Sequence, residues 1–346
     1  MSGGVDSSVA AALLVEQGHD VIGLSMQLYD QRGDQTFGSC CTLDDLHDAR
    51  RVAARLDFPH YIVNFERQFQ ETVVANFVQE YAAGRTPIPC SHCNSDLKFA
   101  TLVERARGFG AEQVATGHYA RVERRADGRW LLKRSSDPAK DQSYFLFSLT
   151  QDQLARAMFP VGALSKPEVR AQARRLGLNV AEKADSQEIS IVPNGDYAAF
   201  VARHQPDVER GGAIVDEGGQ QLGTHGGVHR FTIGQRKGLG ISGTAPMYVL
   251  RIDAESRAVT VGPRQALERA SLRAAGVNWI AMDAPDEWVP VTAQIRHRHQ
   301  PAAARVRALP GARAELLFDT PQPAVTPGQA VVFYADAIVV GGGWIE

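Results

Sequence analysis

The chain lacks an apolar run close to the length of a transmembrane helix, and no charged-then-apolar leader opens it. Because crossing a bilayer takes about 20 apolar residues, neither a membrane span nor a secretory signal is supported, and we expect a cytoplasmic protein. An excess of one charge is missing too, since 37 Lys and Arg residues balance 39 Asp and Glu residues. Bulk electrostatics therefore do not indicate nucleic-acid binding, and only a local basic face would support it.

Cysteine is scarce and confined to the first third of the chain, at Cys40, Cys41, Cys90 and Cys93. In a protein that is expected to be cytoplasmic, this clustering predicts reactive or metal-binding thiols before a disulfide scaffold. Burial as small hydrophobic side chains suits Cys40 and Cys41 better than the Cys-x-x-Cys pair.

Lysine is missing from the N-terminal region until Lys98, although Ser2 to Ser8 have the composition of a phosphate-binding loop. Two glycines, an acid and hydroxyls come directly before an apolar run at 9–14. Glycine lets backbone N–H groups approach an anion closely, and a helix N-terminus carries positive partial charge. The pattern predicts a phosphate cradle without the ammonium of the GxxxxGK[ST] loop. A plain turn or helix cap is the alternative.

A loop of this kind normally follows a buried parallel strand, yet only Met1 precedes it. We expect the strand to be missing, with Met1 an interior residue of a longer product. The alternative is that another segment fills its position. A missing strand is preferred, because a vacant central position would leave unpaired backbone groups on both neighbouring strands.

Helix and strand patterns alternate up to about residue 193, and short Val, Ile and Thr segments between glycine-rich turns follow. We predict an α/β fold with a doubly wound parallel sheet over 1–193, then two small mainly β domains at 194–274 and 275–346. The clearest predicted elements are a helix from Thr42 to about Leu56, a strand at 60–64, and a hairpin of 120–124 with 130–134.

The stretch from Gly84 to Asn94 contains two prolines, which fix φ and push the preceding residues into extended conformations. We predict an irregular, stiff loop that presents Cys90 and Cys93. His92 or Lys98 would favour the reactive thiolate form of these thiols, although His92 is equally compatible with a simple exposed position.

Several separated stretches resemble, in order, the tRNA-specific 2-thiouridylase family of the ATP pyrophosphatase group. They are Ser2 to Ser8, Ser39 to Cys41, Gly84 to Asn94, Ala115 to Tyr119, Lys140 to Tyr144, Asp185 to Ile189, Phe231 to Gly238 and Arg296 to Arg298. The resemblance covers essentially the whole chain and implies an adenine-nucleotide α-hydrolase-like fold. It also implies that ATP adenylates O2 of the tRNA wobble uridine (U34) and that a cysteine persulfide delivers sulfur.

The same resemblance implies a set of site residues. Cys93 matches the sulfur-accepting cysteine, and Asp6 is a candidate Mg²⁺ ligand or, alternatively, a helix-cap carboxylate. The ATP site would comprise Ser2, Gly3, Gly4, Val5, Asp6, Ser7, Ser8, Met26 and Gly117. The target base would meet Ile88, Pro89 and Cys90, and the anticodon region of tRNA would meet Lys140, Asp141, Gln142, Arg296 and His297. Sulfur would come from a donor protein or a cysteine desulfurase relay.

The chain departs from the family pattern at Ser190, where the second catalytic cysteine normally stands. A hydroxyl forms no disulfide and carries no persulfide, so the usual pair cannot operate. Cys90 could resolve the persulfide instead, or Cys90 and Cys93, with Cys40 or Cys41, could hold an iron-sulfur cluster or zinc. In a third account the protein is impaired and only binds ATP and tRNA.

Two other classes of function remain to be compared. An amide-forming ligase could share the loop, but it explains neither the Cys-x-x-Cys pair nor the β-rich C-terminal part. A non-catalytic tRNA-binding protein is supported by Ser190 alone.

Overall fold

The computed structural model describes residues 1–29, 42–184, 191–192, 195–242 and 245–346, and Cys40, Cys41 and Ser190 lie outside them. The chain divides into two compact units, which are described separately. The first comprises Met1–Val73, Cys90–Gly195 and Ala337–Val339, and the second comprises Val74–Pro89, Asp196–Asp336 and Val340–Glu346. No helix within these described ranges is long and apolar enough to cross a bilayer.

The helices and strands alternate first and give way to strands later. Up to residue 204 they are α1 (Val5–Glu16), β1 (Gly23–Gln27), α2 (Leu43–Arg55), β2 (His60–Asn64), α3 (Glu66–Phe69), α4 (Ala75–Ala82), α5 (Pro89–His92), α6 (Ala100–Gly108), β3 (Val114–Ala115), β4 (Ala120–Arg124), β5 (Trp130–Arg134), α7 (Gln151–Arg156), β6 (Ala157–Met158), α8 (Lys166–Arg175) and α9 (Tyr197–His204). After it they are β7 (Gly212–Val215), β8 (Gln221–His225), β9 (Tyr248–Asp253), β10 (Ala258–Gly262), β11 (Glu268–Trp279), β12 (Val289–Gln294), β13 (Ala302–Leu309), β14 (Arg313–Pro323), β15 (Ala330–Ala335) and β16 (Ile338–Ile345).

The first unit is built on parallel strand pairs with helices packed against them. Strands β1 and β2 pair in parallel, as do β3 and β6, and each pair is a separate two-stranded sheet. Helices α1 and α8 share a core that includes Val9, Ala12, Val169 and Ala173. The small alanines let the two helices approach closely, which brings the start of α1 near the start of α8.

The predicted local elements in this unit are confirmed. Thr42 caps α2 in a capping box with Asp45, whose backbone N–H donates to the Thr42 hydroxyl. The strand β2 and the hairpin of β4 with β5 have the predicted bounds. These segments were predictable because capping chemistry and alternation act within a few residues.

The prediction of an irregular loop around the thiols is wrong from Pro89 onward. Pro89 begins the short helix α5, and Cys93 begins a wide π-helical segment that runs to Phe99 and continues into α6. Proline is favoured at the first helical position, where its missing N–H would be unpaired in any case. The second proline therefore starts a helix that carries both cysteines.

The second unit contains two β structures. A four-stranded sheet has the order β8, β7, β10, β9, and its core includes Ile214, Val249 and Val259. Strands β11, β14, β13, β12, β15 and β16 follow one another around a ring, which the pairing of β16 with β11 closes into a six-stranded barrel. A closed ring has no unpaired backbone edge.

Glycine makes the closure of this barrel possible. A Cβ atom on Gly341 would lie 2.5 Å from the carbonyl oxygen of Asn278, and one on Gly343 would lie 2.8 Å from the side chain of Val277. At positions 341 and 343 the closing strand β16 therefore has room beside β11 only for glycine.

We expect Gly341→Ala to destabilise the barrel by about 2 kcal/mol, because the added methyl group must push β16 away from β11. The measurement is the free energy of unfolding by chemical denaturation. Gly226→Ala is the matched control, since its Cβ would find its nearest neighbour at 3.7 Å. Equal stability of the two variants would contradict the role assigned to Gly341.

Candidate functional site

The loop that was predicted to bind phosphate leads directly into α1. Gly4 is its N-cap residue, with an extended backbone at φ −92° and ψ 164°, and no side chain caps the helix. By contrast, α2, α7 and α8 each begin with a capping box. The first N–H groups of a helix have no intrahelical acceptor, so those of α1 are suited to an anion.

Two glycines hold the loop at distances that no other residue would allow. Gly3 has φ +68°, and a Cβ atom there would lie 2.1 Å from the carbonyl oxygen of Asp45 in α2. A Cβ atom on Gly117 would lie 2.5 Å from the backbone nitrogen of Ser7 and 2.6 Å from the carbonyl carbon of Asp6. Gly117, which was predicted to belong to the ATP site, thus packs directly on the loop.

Hydroxyl groups brace the loop from inside. Ser8 Oγ donates to the carbonyl oxygen of Gly4 at 2.8 Å, and the N–H of Ser2 donates to Ser7 Oγ at 3.2 Å. Met26, another predicted ATP residue, is buried in β1, next to Ser25, whose hydroxyl donates to the carbonyl oxygen of Met1 at 2.7 Å. The start of the loop is therefore tied to β1.

The carboxylate of Asp6 binds a lysine that is 160 positions away in the chain. Lys166 Nζ lies 2.8 and 2.9 Å from the two carboxylate oxygens, and the Tyr119 hydroxyl donates to one of them at 2.8 Å. Lys166 and Tyr119 are 8% and 2% exposed. The loop thus has a buried ammonium beside it that the sequence analysis missed, because only the packing of α8 on α1 brings it there.

A second lysine, Lys183, contacts the loop on the side of α2. Its Nζ lies 3.0 Å from the carbonyl oxygen of Gly3 and 2.6 Å from one carboxylate oxygen each of Asp45 and Asp48. Burial would raise the pKa of Asp45, but hydrogen bonds from Lys183 and Thr42 outweigh it and lower this pKa. The carboxylate charge and the ammonium are therefore both stabilised here.

The two thiols of the Cys-x-x-Cys pair are partly exposed. They are three positions apart in continuous helical backbone, which places Cys90 and Cys93 on the same side. The neighbouring His92 Nδ1 lies 2.8 Å from a carboxylate oxygen of Asp96, and Lys98 Nζ donates to Asn94 Oδ1 at 3.1 Å. Both cations that we expected to act on the thiols therefore also engage other groups.

The helix that carries Cys93 reaches the segment that holds the loop. The Phe99 ring lies 6.5 Å, between centroids, from that of His118, which directly follows Gly117. His118 Nδ1 is 2.8 Å from the hydroxyl of Thr116. The residues at 116–118 thus contact the thiol-bearing helix on one side and the loop on the other.

Comparison with known proteins extends these observations to the whole chain. Family models match residues 1–194 (tRNA methyl transferase HUP domain), 198–263 (tRNA methyl transferase PRC-barrel domain) and 269–345 (Aminomethyltransferase beta-barrel domain). A curated relative from Geotalea uraniireducens, named tRNA-specific 2-thiouridylase MnmA, is 54% identical over 100% of this chain and 93% of its own length. The chain belongs to the tRNA-specific 2-thiouridylase family. A relative of the same name from Geobacter metallireducens is 52% identical, over 100% of this chain and 95% of its own length.

Membership of the 2-thiouridylase family confirms the predicted fold class, an α/β nucleotide-binding domain followed by two β domains. Among solved structures, the U34-tRNA thiolase NcsA from Methanococcus maripaludis with its [4Fe-4S] cluster matches at a TM-score of 0.34 and 17% identity, over 61% of this chain and 64% of its own.

The residues that were predicted to contact tRNA differ in their surroundings. Asp141 accepts a hydrogen bond from Arg134 at 2.8 Å, and Gln142 Oε1 accepts the backbone N–H of Tyr119 at 2.9 Å. Both side chains therefore have structural contacts in the first unit. In the second unit, His297 is exposed and Arg296 partly exposed in the turn after β12.

Other predicted residues are buried or lie outside the described residues. Ile88 and Pro89 are buried, whereas Cys90 beside them is partly exposed. Within the ranges that the structure describes, no group of three His, Cys, Asp or Glu side chains could hold a metal ion. Cys40, Cys41 and Ser190 are not among those residues.

We expect Gly117→Ala to weaken ATP binding more than tenfold, because its methyl group would displace the backbone of Asp6 and Ser7 by overpacking. Titration calorimetry with ATP measures the affinity. Gly108→Ala is the control, since a Cβ atom there meets nothing within 4 Å. Unchanged affinity in Gly117→Ala would contradict the close packing of residue 117 on the loop.

His118 makes the stability of the first unit depend on pH. Burial, with a smaller contribution from Lys98, lowers the pKa of His118 to about 3. The unfolded chain therefore binds the extra proton below pH 6.5, whereas the folded chain does not, so stability falls as the pH falls. From pH 7 to pH 5 this single group should cost about 2 kcal/mol of the free energy of unfolding.

Urea unfolding of wild type and His118→Asn at both pH values measures this effect. The decrease between pH 7 and pH 5 should be smaller in the variant by the amount assigned to His118. An identical decrease in both proteins would show that the imidazole is not the responsible group.

Proposed function

We propose that this protein catalyses ATP-dependent 2-thiolation of the wobble uridine (U34) of tRNA. The observation that carries the proposal is the identity of 54% and 52%, over the full chain, with proteins named tRNA-specific 2-thiouridylase. The uncapped start of α1, with glycines at Gly3 and Gly117, supports it because such a cradle suits the phosphates of ATP.

The first half-reaction activates a poor leaving group. The carbonyl oxygen O2 of the uridine attacks the α-phosphorus of ATP, the bond to the β-phosphate breaks, and pyrophosphate leaves. The base then carries AMP on C2, joined through the oxygen that was O2. The N–H groups at the start of α1 and the ammonium of Lys166 would stabilise the negative charge on the phosphates, since such preorganised donors act most strongly in a partly buried site.

The second half-reaction delivers sulfur from a persulfide on Cys93. Its terminal sulfur attacks C2 of the adenylated base, and AMP leaves with the original O2. The Cys90 thiolate then attacks Sγ of Cys93, the sulfur–sulfur bond breaks towards the base, and a Cys90–Cys93 disulfide forms. A dithiol reductant returns this disulfide to two thiols. The helical spacing of the pair supports this route, because it puts the thiols on the same side of the chain.

A metal centre is the second account of the thiols. Cys90 and Cys93 supply two soft ligands, and a cluster or zinc would need further ligands, for which Cys40 and Cys41 are the candidates. An impaired protein that only binds ATP and tRNA is the third account. We rank these accounts below resolution by Cys90.

The expected Mg²⁺ does not fit the carboxylate of Asp6 in its present contacts. Both oxygens accept hydrogen bonds from Lys166, and a metal ion in their place would meet the ammonium at close range. We therefore assign Mg²⁺ to the phosphates of ATP itself, with Asp6 holding Lys166 and Tyr119 at the loop.

The same proposal assigns the contacts with tRNA and with the sulfur donor. Lys140, Arg296 and His297 would contact tRNA phosphates near the anticodon, and Ile88, Pro89 and Cys90 would adjoin the target base. A sulfur-donor protein or a cysteine desulfurase relay would load Cys93. The division into domains at 1–193, 194–274 and 275–346 remains a prediction.

Incubation of the protein with ATP, a persulfide donor and tRNA, followed by nucleoside analysis, tests the function. We expect 2-thiouridine, with formation that depends on ATP and releases AMP and pyrophosphate. A methylated nucleoside would instead indicate a tRNA methyl transferase, and an unchanged tRNA would support a binding protein.

The thiol assignments are tested by single substitutions. Cys93→Ala should abolish thiolation, because no sulfur can be loaded. Cys90→Ala should stop after about one sulfur per protein, with that sulfur held in a disulfide between the base and Cys93, because no second thiol cleaves it. Single-turnover and multi-turnover assays distinguish the two defects. Cys40→Ala and Cys41→Ala serve as controls that retain turnover under this scheme.

Two results would overturn resolution by Cys90. Full multi-turnover activity in Cys90→Ala would eliminate it outright. Loss of activity in Cys40→Ala or Cys41→Ala, together with iron and acid-labile sulfide in anaerobically purified protein, would favour the cluster.

A further inference from the structure

Lys183 contacts the backbone of the phosphate loop from 180 positions away. Its ammonium donates to the carbonyl oxygen of Gly3 at 3.0 Å and to Asp45 and Asp48 at 2.6 Å each. No other role in the proposed reaction uses this side chain, which is about 30% exposed. The contact with a loop carbonyl is unusual for a lysine beside a phosphate site, where an ammonium normally meets the phosphate itself.

The geometry of the peptide bond gives this contact a consequence. The carbonyl of Gly3 and the N–H of Gly4 belong to one planar group, and every described peptide bond is trans. In a trans peptide these two groups point in opposite directions. When Lys183 fixes the Gly3 oxygen on the side of α2, the Gly4 N–H is directed to the opposite side of the loop.

Gly4 is the position where such a direction matters. It is the N-cap of α1, and no side chain caps this helix. Its N–H is among the donors that a helix leaves without an intrahelical acceptor. Glycine at position 3, with φ +68°, is also a residue whose peptide could rotate readily without an external restraint.

The ammonium itself is held in place from several directions. Arg170 in α8 donates to the carbonyl oxygens of Ala181 at 2.7 Å and of Lys183 at 3.0 Å, which fixes the backbone that carries the lysine. Asn179 Nδ2 donates to Asp48 Oδ1 at 2.6 Å, and Thr42 binds Asp45. A side chain restrained in this way can orient a peptide, whereas a mobile surface lysine could not.

We infer that Lys183 is a positioning residue for ATP: it orients the Gly3–Gly4 peptide so that the Gly4 N–H points towards the bound phosphates. Lys183 acts through the backbone and does not itself touch the nucleotide. The inference rests on the proposed ATP site. It adds a residue near the C-terminal end of the first unit to a loop at its N-terminal end.

The test measures ATP binding to Lys183→Met by titration calorimetry, without tRNA. We expect roughly tenfold weaker binding, the size of one lost hydrogen bond to a charged group. In the thiolation assay KM for ATP should rise by a similar factor, while KM for tRNA stays unchanged. Lys183→Arg keeps a cationic donor and should restore most of the affinity.

Arg175→Met is the matched control. Arg175 pairs with Glu16 through two hydrogen bonds of 2.8 and 2.7 Å at the far end of α1, so its loss removes an ion pair between α8 and α1 without affecting the loop. It should bind ATP like wild type. If Arg175→Met weakens ATP binding as much as Lys183→Met, the effect is general destabilisation and the inference is overturned.

The remaining outcomes separate this inference from the function on which it rests. Wild-type affinity in Lys183→Met overturns the positioning role and leaves the ATP site intact, whereas a wild-type protein that binds no ATP overturns the proposed function. If Lys183→Met does not fold, Asp48→Asn replaces it. That variant removes one anchor of the ammonium, and ATP affinity equal to wild type would then refute the positioning role.

Discussion

The structure of the first unit depends on how closely the backbone of the phosphate loop is approached by its neighbours. Gly3 lies against the carbonyl of Asp45, and Gly117 lies against the backbone of Asp6 and Ser7. Such contacts fix the loop between two backbone segments without any side chain in the way. Because the loop is restrained from both sides, its N–H groups can face a ligand without the entropy cost of ordering on binding. Everything proposed about ATP requires this restraint.

The charges around the loop follow from the same arrangement. Lys166 and Lys183 arrive from distant parts of the chain, and each is neutralised by carboxylates near the start of α1 or α2. An ammonium left unpaired in a partly buried position would be costly, so the acids that hold the lysines also allow them to be there. The loop thereby gains ammonium donors that its own sequence does not contain.

The sequence predicted those features that depend on near neighbours. The Thr42 cap, the strand β2 and the β4–β5 hairpin could be recognised because their signals lie within a few residues. The lysines at the loop could not, since only the packing of α8 against α1 brings Lys166 to Asp6. The prediction for the thiol segment is wrong because a proline can follow an extended residue or begin a helix. The residues around Pro89 are compatible with both conformations, so the sequence alone does not choose between them.

The barrel in the second unit also constrains what can dock on it. Since β16 joins β11 and completes the ring, an incoming chain finds no strand to extend and must be recognised by outward side chains and by connecting turns, such as the one that holds Arg296 and His297. The closing strand β16 also makes the barrel sensitive to loss of the C-terminus. Removal of the chain from Gly341 onward would take away the residues of β16 that pair with β11 and would leave a sheet with two unpaired edges, so we expect such proteolysis to promote self-association.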